Sequence, residues 1–534
     1  MFIESGMSRR AAPKANSPAV RSTEGSPVSR RAAPKANSPA VRSTEVSQVS
    51  KTPSNWILDK VSRLMSQIQA DGAQAEKEKS GTGPGPTRSL DARLDGVVRK
   101  GDEALSPREL RRILGELQSV VDGRVSEAEA GRRASAIAQW YAQASAAERI
   151  DCMSLMSEKF AHQPAEVEAA RAEYEAAQGT PEQGHAEIRL RQALHSPRTR
   201  LLQRFAAFAQ GMRFLVNLRA ELLPLLRTHK RLVALDAELE SLFSSWFDVA
   251  FLELRRISWD SPASLIEKLI RYEAVHAIRS WADVKNRLDS DRRCYGFFHP
   301  HMPDEPLIFV EVALLDQMAG NIAPLLDESA SAADLNKATT AIFYSISSTQ
   351  LGLRGVSFGD SLIKHVVEAL QQEFARLKTF ATLSPIPGLR AWLGRNADAM
   401  LDKAGPKPRQ RLAQALGMEV QALTGAQLLE AWDSVEALDE KSPLRRMLLQ
   451  CAAHYLLETG KHDRPLDPVA RFHLGNGARI ERLNWMADSS PKGVKQSYGL
   501  MVNYLYDLKR LDKYRGQLAQ GKIPTSSAID ALAF

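Results

Sequence analysis

TTAIFYSISSTQLGLRGVSFGDSLIKHVVEALQQEF, Thr339 to Phe374, passes from an apolar run through a loop with three glycines into apolar residues of helical period. Thr340–Ser347 (TAIFYSIS) reads as a strand, and Asp360–Leu377 as a helix launched directly from the loop. Between them, Arg354-Gly355-Val356-Ser357-Phe358-Gly359-Asp360 offers successive backbone N–H groups at a helix start, an arrangement suited to a pyrophosphate. A glycine loop alone is more often a tight turn without a ligand. Its spacing excludes two nucleotide loops. It lacks the GK[ST] ending of a P-loop, and it is no clean GxGxxG with an acidic residue at the end of the next strand.

Around this unit, short β-like runs at Cys294–His299, Leu307–Leu314, Thr379–Leu383 and Ala470–Trp485 alternate with helical stretches, which predicts a mixed α/β domain after about Leu239. The preceding region, from 106 to 238, is helical in pattern. Ser106-Pro107-Arg108-Glu109 is a capping box with proline at the first helical position, followed by Leu110, Ile113, Leu114 and Leu117 at spacings of three and four. Such a module is expected to serve packing or self-association. A Gly, Pro and charge-rich segment near 72–96 reads as a linker, and SRRAAPKANSPAVRSTE occurs twice, at Ser8–Glu24 and Ser29–Glu45, with too few apolar residues to build a core.

The formal charge of +8 over 534 residues sits mostly in residues 1–51, which carry +6 and leave +2 for the rest. A near-neutral body argues against an extended nucleic-acid surface. Cys152, Cys294 and Cys451 are far apart and form no CxxC pair, so neither a disulfide framework nor a zinc knuckle is expected, and a reducing cytoplasm fits. No apolar run is long enough to span a membrane, and the N-terminus lacks the apolar core of a secretory signal.

Arg354–Gly359 resembles the RGxGxG-type loop of the acetyltransferase superfamily, which holds the pyrophosphate of coenzyme A. A wider resemblance follows from CYGFFHPHMPDEPLIFVEVAL (294–314), AIFYSISSTQLGLRGVSFGDSLIKHVV (341–367), LSPIPGLRAWL (383–393), PVARFHLGNGARIERLNWMAD (468–488) and SYGLMVNYLYDL (497–508). Together, and in this order, they resemble the malonyl-CoA decarboxylase family across roughly residues 240–510. The implied fold class is α+β, an N-terminal all-helical domain followed by a mixed α/β acetyltransferase-like catalytic domain with a central, mostly antiparallel sheet. Composition and resemblance together give the expected boundaries: a disordered duplicated basic tail at 1–54, outside the resemblance, a helical oligomerisation domain at 55–238 with a flexible segment at about 72–104, and a catalytic domain at 239–534.

Decarboxylating a malonyl thioester leaves an enolate. The site must polarise the thioester carbonyl, hold a poorly solvated carboxylate and supply a proton to carbon. The thioester is itself the electron sink, so no metal, biotin or thiamine diphosphate is expected, and coenzyme A enters as part of the substrate. His473, in FHLGNGA, is the first candidate for proton donor because an ordinary imidazole titrates near neutrality; a histidine in such a pattern is otherwise more often a core residue. Ser384, in LSPIPG, is expected to close a strand at the thioester end, with two prolines directing the chain after it. The resemblance implies catalysis by both residues, with Ser384 contacting the malonyl carboxylate. Tyr506 is a third candidate, as a phenol orienting the histidine or substrate, with Tyr504 as its rival.

Coenzyme A is expected on Arg354, Gly355, Val356, Ser357, Phe358, Gly359 and Asp360, with Ser384 and His473 at the acyl end. Ser357 departs from the family where some members carry a glutamate, which removes any acidic role there but leaves backbone binding intact. His299-Pro300-His301 reads as a loop, and no GxSxG elbow supports a hydrolase. The expected activity is decarboxylation of malonyl-CoA to acetyl-CoA and carbon dioxide by a cytoplasmic homo-oligomer, dimer or tetramer, without nucleic-acid or membrane partners. The competing readings are a CoA-dependent acyltransferase of the same fold and a non-enzymatic helical scaffold.

Overall fold

Ser106 opens the helix Pro107–Val121 by accepting from the Glu109 N–H, while the Glu109 carboxylate accepts from the Ser106 N–H at 3.0 Å. Both donors would otherwise lack a partner at the helix start. The computed structural model describes residues 88–534 apart from 102, 357, 359–361 and 461–462, so the duplicated tail and the linker up to residue 87 lie outside the described residues. The described residues belong to one compact unit. Where composition reads a flexible segment as far as about 104, the described part is fastened. The helix Leu90–Leu94 buries both of its leucines, and Arg93 donates twice to Asp151, at 2.6 Å each. A buried bidentate pair outweighs the loop-like composition around it.

Helices continue to Val233–Trp246, which runs through the 238/239 boundary. Among the described residues eight strands follow: β1 (Glu253–Ile257), β2 (Arg292–His299), β3 (Met302–Leu315), β4 (Thr340–Ser348), β5 (Thr379–Thr382), β6 (Ser384–Pro385), β7 (Arg479–Asn484) and β8 (Met501–Leu505). They form one sheet in the order β1-β2-β3-β4-β5-β8-β6, with β7 also on β8. Only β4 and β5 run parallel; the other pairs are antiparallel. The sheet is therefore mixed and mostly antiparallel, as expected.

Ala470–Trp485 is a correction, because its first third is helical: Pro468–Gly475 forms a helix and only Arg479–Asn484 is a strand. Asp467 caps that helix by accepting from Val469 N–H (2.9 Å) and Ala470 N–H (2.8 Å), and Pro468 takes the first helical position, where its missing N–H costs nothing.

Two features of the sheet position the site. The parallel pairing of β4 and β5 ends at Phe343 and Thr382, with a last link from Leu383 N–H to Phe343 O at 3.0 Å, while β4 runs on to Ser348. The two strands thus splay beyond Phe343. β5 and β6, in contrast, keep one register along β8, with Ala381 opposite Leu505, Ser384 opposite Val502 and Pro385 opposite Met501. Alternation along the strands separates two faces. Phe343, Phe380 and Tyr506 join the main core with Val366 and Leu370 of the helix Leu362–Glu373, whereas Ile342, Tyr344, Ala381, Leu383 and Met501 pack in a second core.

Beneath the sheet lies a buried charge cluster. Arg287, 1% exposed, donates to Asp283 (2.7 Å), Glu311 (2.7 Å) and the His276 carbonyl (2.9 Å). One guanidinium serves two carboxylates here, and burial pushes the Glu311 carboxyl up to about 7.

Candidate active site

Ser384 and His473 are 89 positions apart in the chain, yet Ser384 Oγ lies 3.2 Å from His473 Nε2. On the other side of the ring, Nδ1 is 2.7 Å from the Tyr506 hydroxyl. Three elements converge to make this chain: β6 brings the serine to the splay, the helix Pro468–Gly475 brings the histidine, and the tyrosine follows directly after β8. Tyr504, two residues before Tyr506, stacks on the imidazole at 4.6 Å between ring centroids. Both tyrosines therefore touch His473, one through its hydroxyl and one through its ring face. Phe343 meets Tyr506 edge-on at 6.2 Å.

Thr382 Oγ1 accepts from the Tyr504 N–H (3.1 Å) and from Ser384 Oγ (2.9 Å). With its own proton directed to Thr382, Ser384 Oγ stands ready to accept from the Nε2–H tautomer of His473. Nδ1 is then an acceptor for Tyr506 O–H, whose one hydrogen-bond partner among the described residues is that nitrogen. Ser384 is 6% and His473 3% exposed, so the pair has little contact with bulk water. No carboxylate offsets that burial at His473, and burial alone pushes its pKa down to about 3. The expectation of an imidazole titrating near neutrality is corrected: burial holds the ring in its neutral form.

Behind the histidine, Asp467 is 1% exposed and accepts from the Tyr455 hydroxyl at 3.1 Å as well as from its helix N–H groups. Tyr455 reaches it over Gly388 of the serine loop, where a Cβ would lie 2.1 Å from the phenolic oxygen. The glycine in LSPIPG thus leaves room for Tyr455, on the helix Pro443–Leu457, to pass over the serine-bearing loop and bond the cap of the histidine-bearing helix. Gly388→Ala is expected to push the ring out, lower stability by roughly 1–3 kcal/mol and, by shifting His473, lower kcat roughly tenfold to a hundredfold. Calorimetry beside steady-state kinetics checks this, and kcat within twofold of the parent would count against the linkage.

In the glycine loop, Arg354 and Gly355 are exposed, Val356 is buried and Phe358 half-buried, while Ser357, Gly359 and Asp360 lie outside the described residues. The loop starts where β4, having left β5, reaches the short helical turn Leu351–Leu353. Thr382, Asp467, Tyr455 and Gly388 were not singled out from sequence. Only Asp467-Pro468 carries a local signal, a helix N-cap. No group of three or more His, Cys, Asp or Glu side chains arranged for a metal occurs among the described residues. All three cysteines are buried free thiols, and no described helix is long and apolar enough to cross a membrane.

Comparison with known proteins agrees with this architecture. The family model "Malonyl-CoA decarboxylase C-terminal domain" matches residues 250–533, and "Malonyl-CoA decarboxylase N-terminal domain" matches residues 160–247. The mitochondrial malonyl-CoA decarboxylase of Mus musculus is 40% identical over 340 residues, 61% of this chain and 68% of that protein. The mitochondrial enzyme of Anser anser anser is 38% identical over 342 residues, 66% of its length. Among solved structures, malonyl-CoA decarboxylase from Rhodopseudomonas palustris matches with TM-score 0.69 and 39% identity, over 79% of this chain and 99% of that one. The Cupriavidus metallidurans protein gives 0.65 and 43%, over 80% and 100%. The two family models together take in the later part of the helical region and the whole sheet, and the chain belongs to the malonyl-CoA decarboxylase family of enzymes.

Proposed function

We propose that this chain decarboxylates malonyl-CoA through the Ser384–His473–Tyr506 chain, with coenzyme A held at Arg354–Asp360 and the acyl arm entering the splay between β4 and β5. The observation that carries the reading is the 3.2 Å contact between Ser384 Oγ and His473 Nε2, continued at 2.7 Å to Tyr506. Ser384 turns its hydroxyl from Thr382 towards the malonyl group and contacts the carboxylate. The bond between that carboxylate and the α-carbon breaks, carbon dioxide leaves, and the electron pair moves into the thioester as an enolate. Poor solvation of the carboxylate in a site with so little water access favours this step. The enolate carbon takes the proton from His473 Nε2. The negative charge passes to the ring, where Tyr506 O–H already faces Nδ1, and a proton from solvent later restores the chain. The sequence of steps needs no metal, biotin or thiamine diphosphate.

Release of carbon dioxide from malonyl-CoA by the purified, chelator-treated protein tests the reading. No release would end it, and acceptor-dependent loss of thioester without carbon dioxide would favour an acyltransferase. A histidine neutral down to about pH 3 also predicts a kcat/KM profile without the inflection near 6.5 of an ordinary imidazole. The sign for stability follows from the same depression. Below about 6.5 the unfolded chain takes up a proton on His473 that the folded chain refuses, so this contribution is present above 6.5 and is lost as pH falls towards 3. Self-association through the helical region and residence in the cytoplasm complete the proposal. Three buried free thiols support a reducing compartment.

A further inference from the structure

We propose that Arg219, on a helix of the N-terminal helical region, is a positioning residue for the coenzyme A loop, so that the helical region builds part of the substrate's binding site. Arg219 lies on the helix Gly211–Leu225 and is 1% exposed. Its Nη1 donates to two loop carbonyls, Gly352 O and Arg354 O, at 2.9 Å each. Its Nε donates to Asp236 (2.8 Å) and its Nη2 to Glu240 (3.1 Å), both on the helix Val233–Trp246. A single buried guanidinium thus ties two helices to the point where the strand-to-loop connection turns towards Gly355.

The backbones meet unusually closely there. A Cβ at Gly352 would lie 1.8 Å from the Val216 carbonyl oxygen, one turn before Arg219 on the same helix, so glycine permits the approach that Arg219 then holds. A second link from the segment following those helices reaches the same loop, where Val249 N–H donates to Phe358 O at 3.1 Å. Anion binding by backbone amides depends on their direction, and three carbonyls of this connection, those of Gly352, Arg354 and Phe358, are fixed from the helical side. Lysine does not replace such a residue, because one ammonium cannot reproduce a planar fork that reaches two carbonyls and two carboxylates at once.

The inference rests on the reading that the loop receives the diphosphate of coenzyme A. The test therefore compares malonyl-CoA with malonyl-pantetheine, which has the same reacting end and no diphosphate. In the parent protein, kcat/KM for malonyl-CoA should exceed that for malonyl-pantetheine, and equal values would refute the loop reading itself. Given that preference, Arg219→Met should reduce the ratio of the two kcat/KM values by tenfold or more, mainly through KM for malonyl-CoA. An unchanged ratio, with both substrates losing alike or neither losing, overturns the role of Arg219, since a merely structural residue moves both together. If Arg219→Met does not fold, Arg219→Lys keeps a charge beside Asp236 and Glu240 and is read by the same ratio.

Discussion

His473→Gln is expected to lower kcat for carbon dioxide release from malonyl-CoA by about a thousandfold, and Ser384→Ala by about a hundredfold or more. Glutamine can still present an N–H towards Ser384, but it cannot pass a proton from Nδ1 to Nε2, so the substitution separates transfer from placement. The loss at Ser384 is smaller because the Nε2 proton remains and only the group that meets the carboxylate is removed. Both variants should keep the parent's melting temperature to within a few degrees and should still bind coenzyme A by calorimetry. Full activity in either would remove that residue from the chemistry.

Arg287→Met is expected to destabilise the protein by roughly 3–5 kcal/mol. Asp283 and Glu311 both pair with this one guanidinium, Asp283 having beside it among the described residues only the Arg279 N–H at 3.2 Å, and Glu311 is 0% exposed. Deleting the cation leaves two carboxylates in a place with almost no water, and that penalty, rather than the net attraction of the native pair, sets the size of the effect. Arg112→Ala is the control: Arg112 pairs with Glu116 on a helix surface with the two side chains 50% and 42% exposed, and its loss should cost under about 0.5 kcal/mol. Urea unfolding of the three proteins measures the contrast. Equal midpoints for Arg287→Met and Arg112→Ala would mean that the cluster contributes nothing.

The core strands are readable because they are mostly apolar. Cys294–His299, Leu307–Leu314 and Thr340–Ser347 all fall inside strands of the sheet. The edge strand β1, with sequence ELRRI, carries three charges in five residues and shows no such signal. The helix bearing His473 was hidden for another reason. Its short apolar run continues into a real strand across Asn476-Gly477, so periodicity alone joined the two, although Asp467-Pro468 marked the start of a helix. At the site, Ser384 and His473 were reached through the unusual strings around them. Nothing local distinguished Thr382 as the acceptor of the serine proton, or Tyr455 as the partner of Asp467, because those contacts exist only once distant segments meet. The imidazole pKa was misjudged for the same reason, since the burial that lowers it is a property of the assembled fold.

β8 follows every other strand in the chain, yet it is an interior strand of the sheet, in contact with β5, β6 and β7. During synthesis, the edges of β5 and β7 therefore stand open until the chain has passed Leu505, with the buried Phe380 and Ile480 beside them. An open apolar edge recruits other strands, and pairing Ala381 with Leu505 across so long a separation slows closure further. The nascent protein is thus exposed to aggregation until its sheet is completed, and it gains Tyr504 and Tyr506, and with them the proton chain at His473, in the same late step.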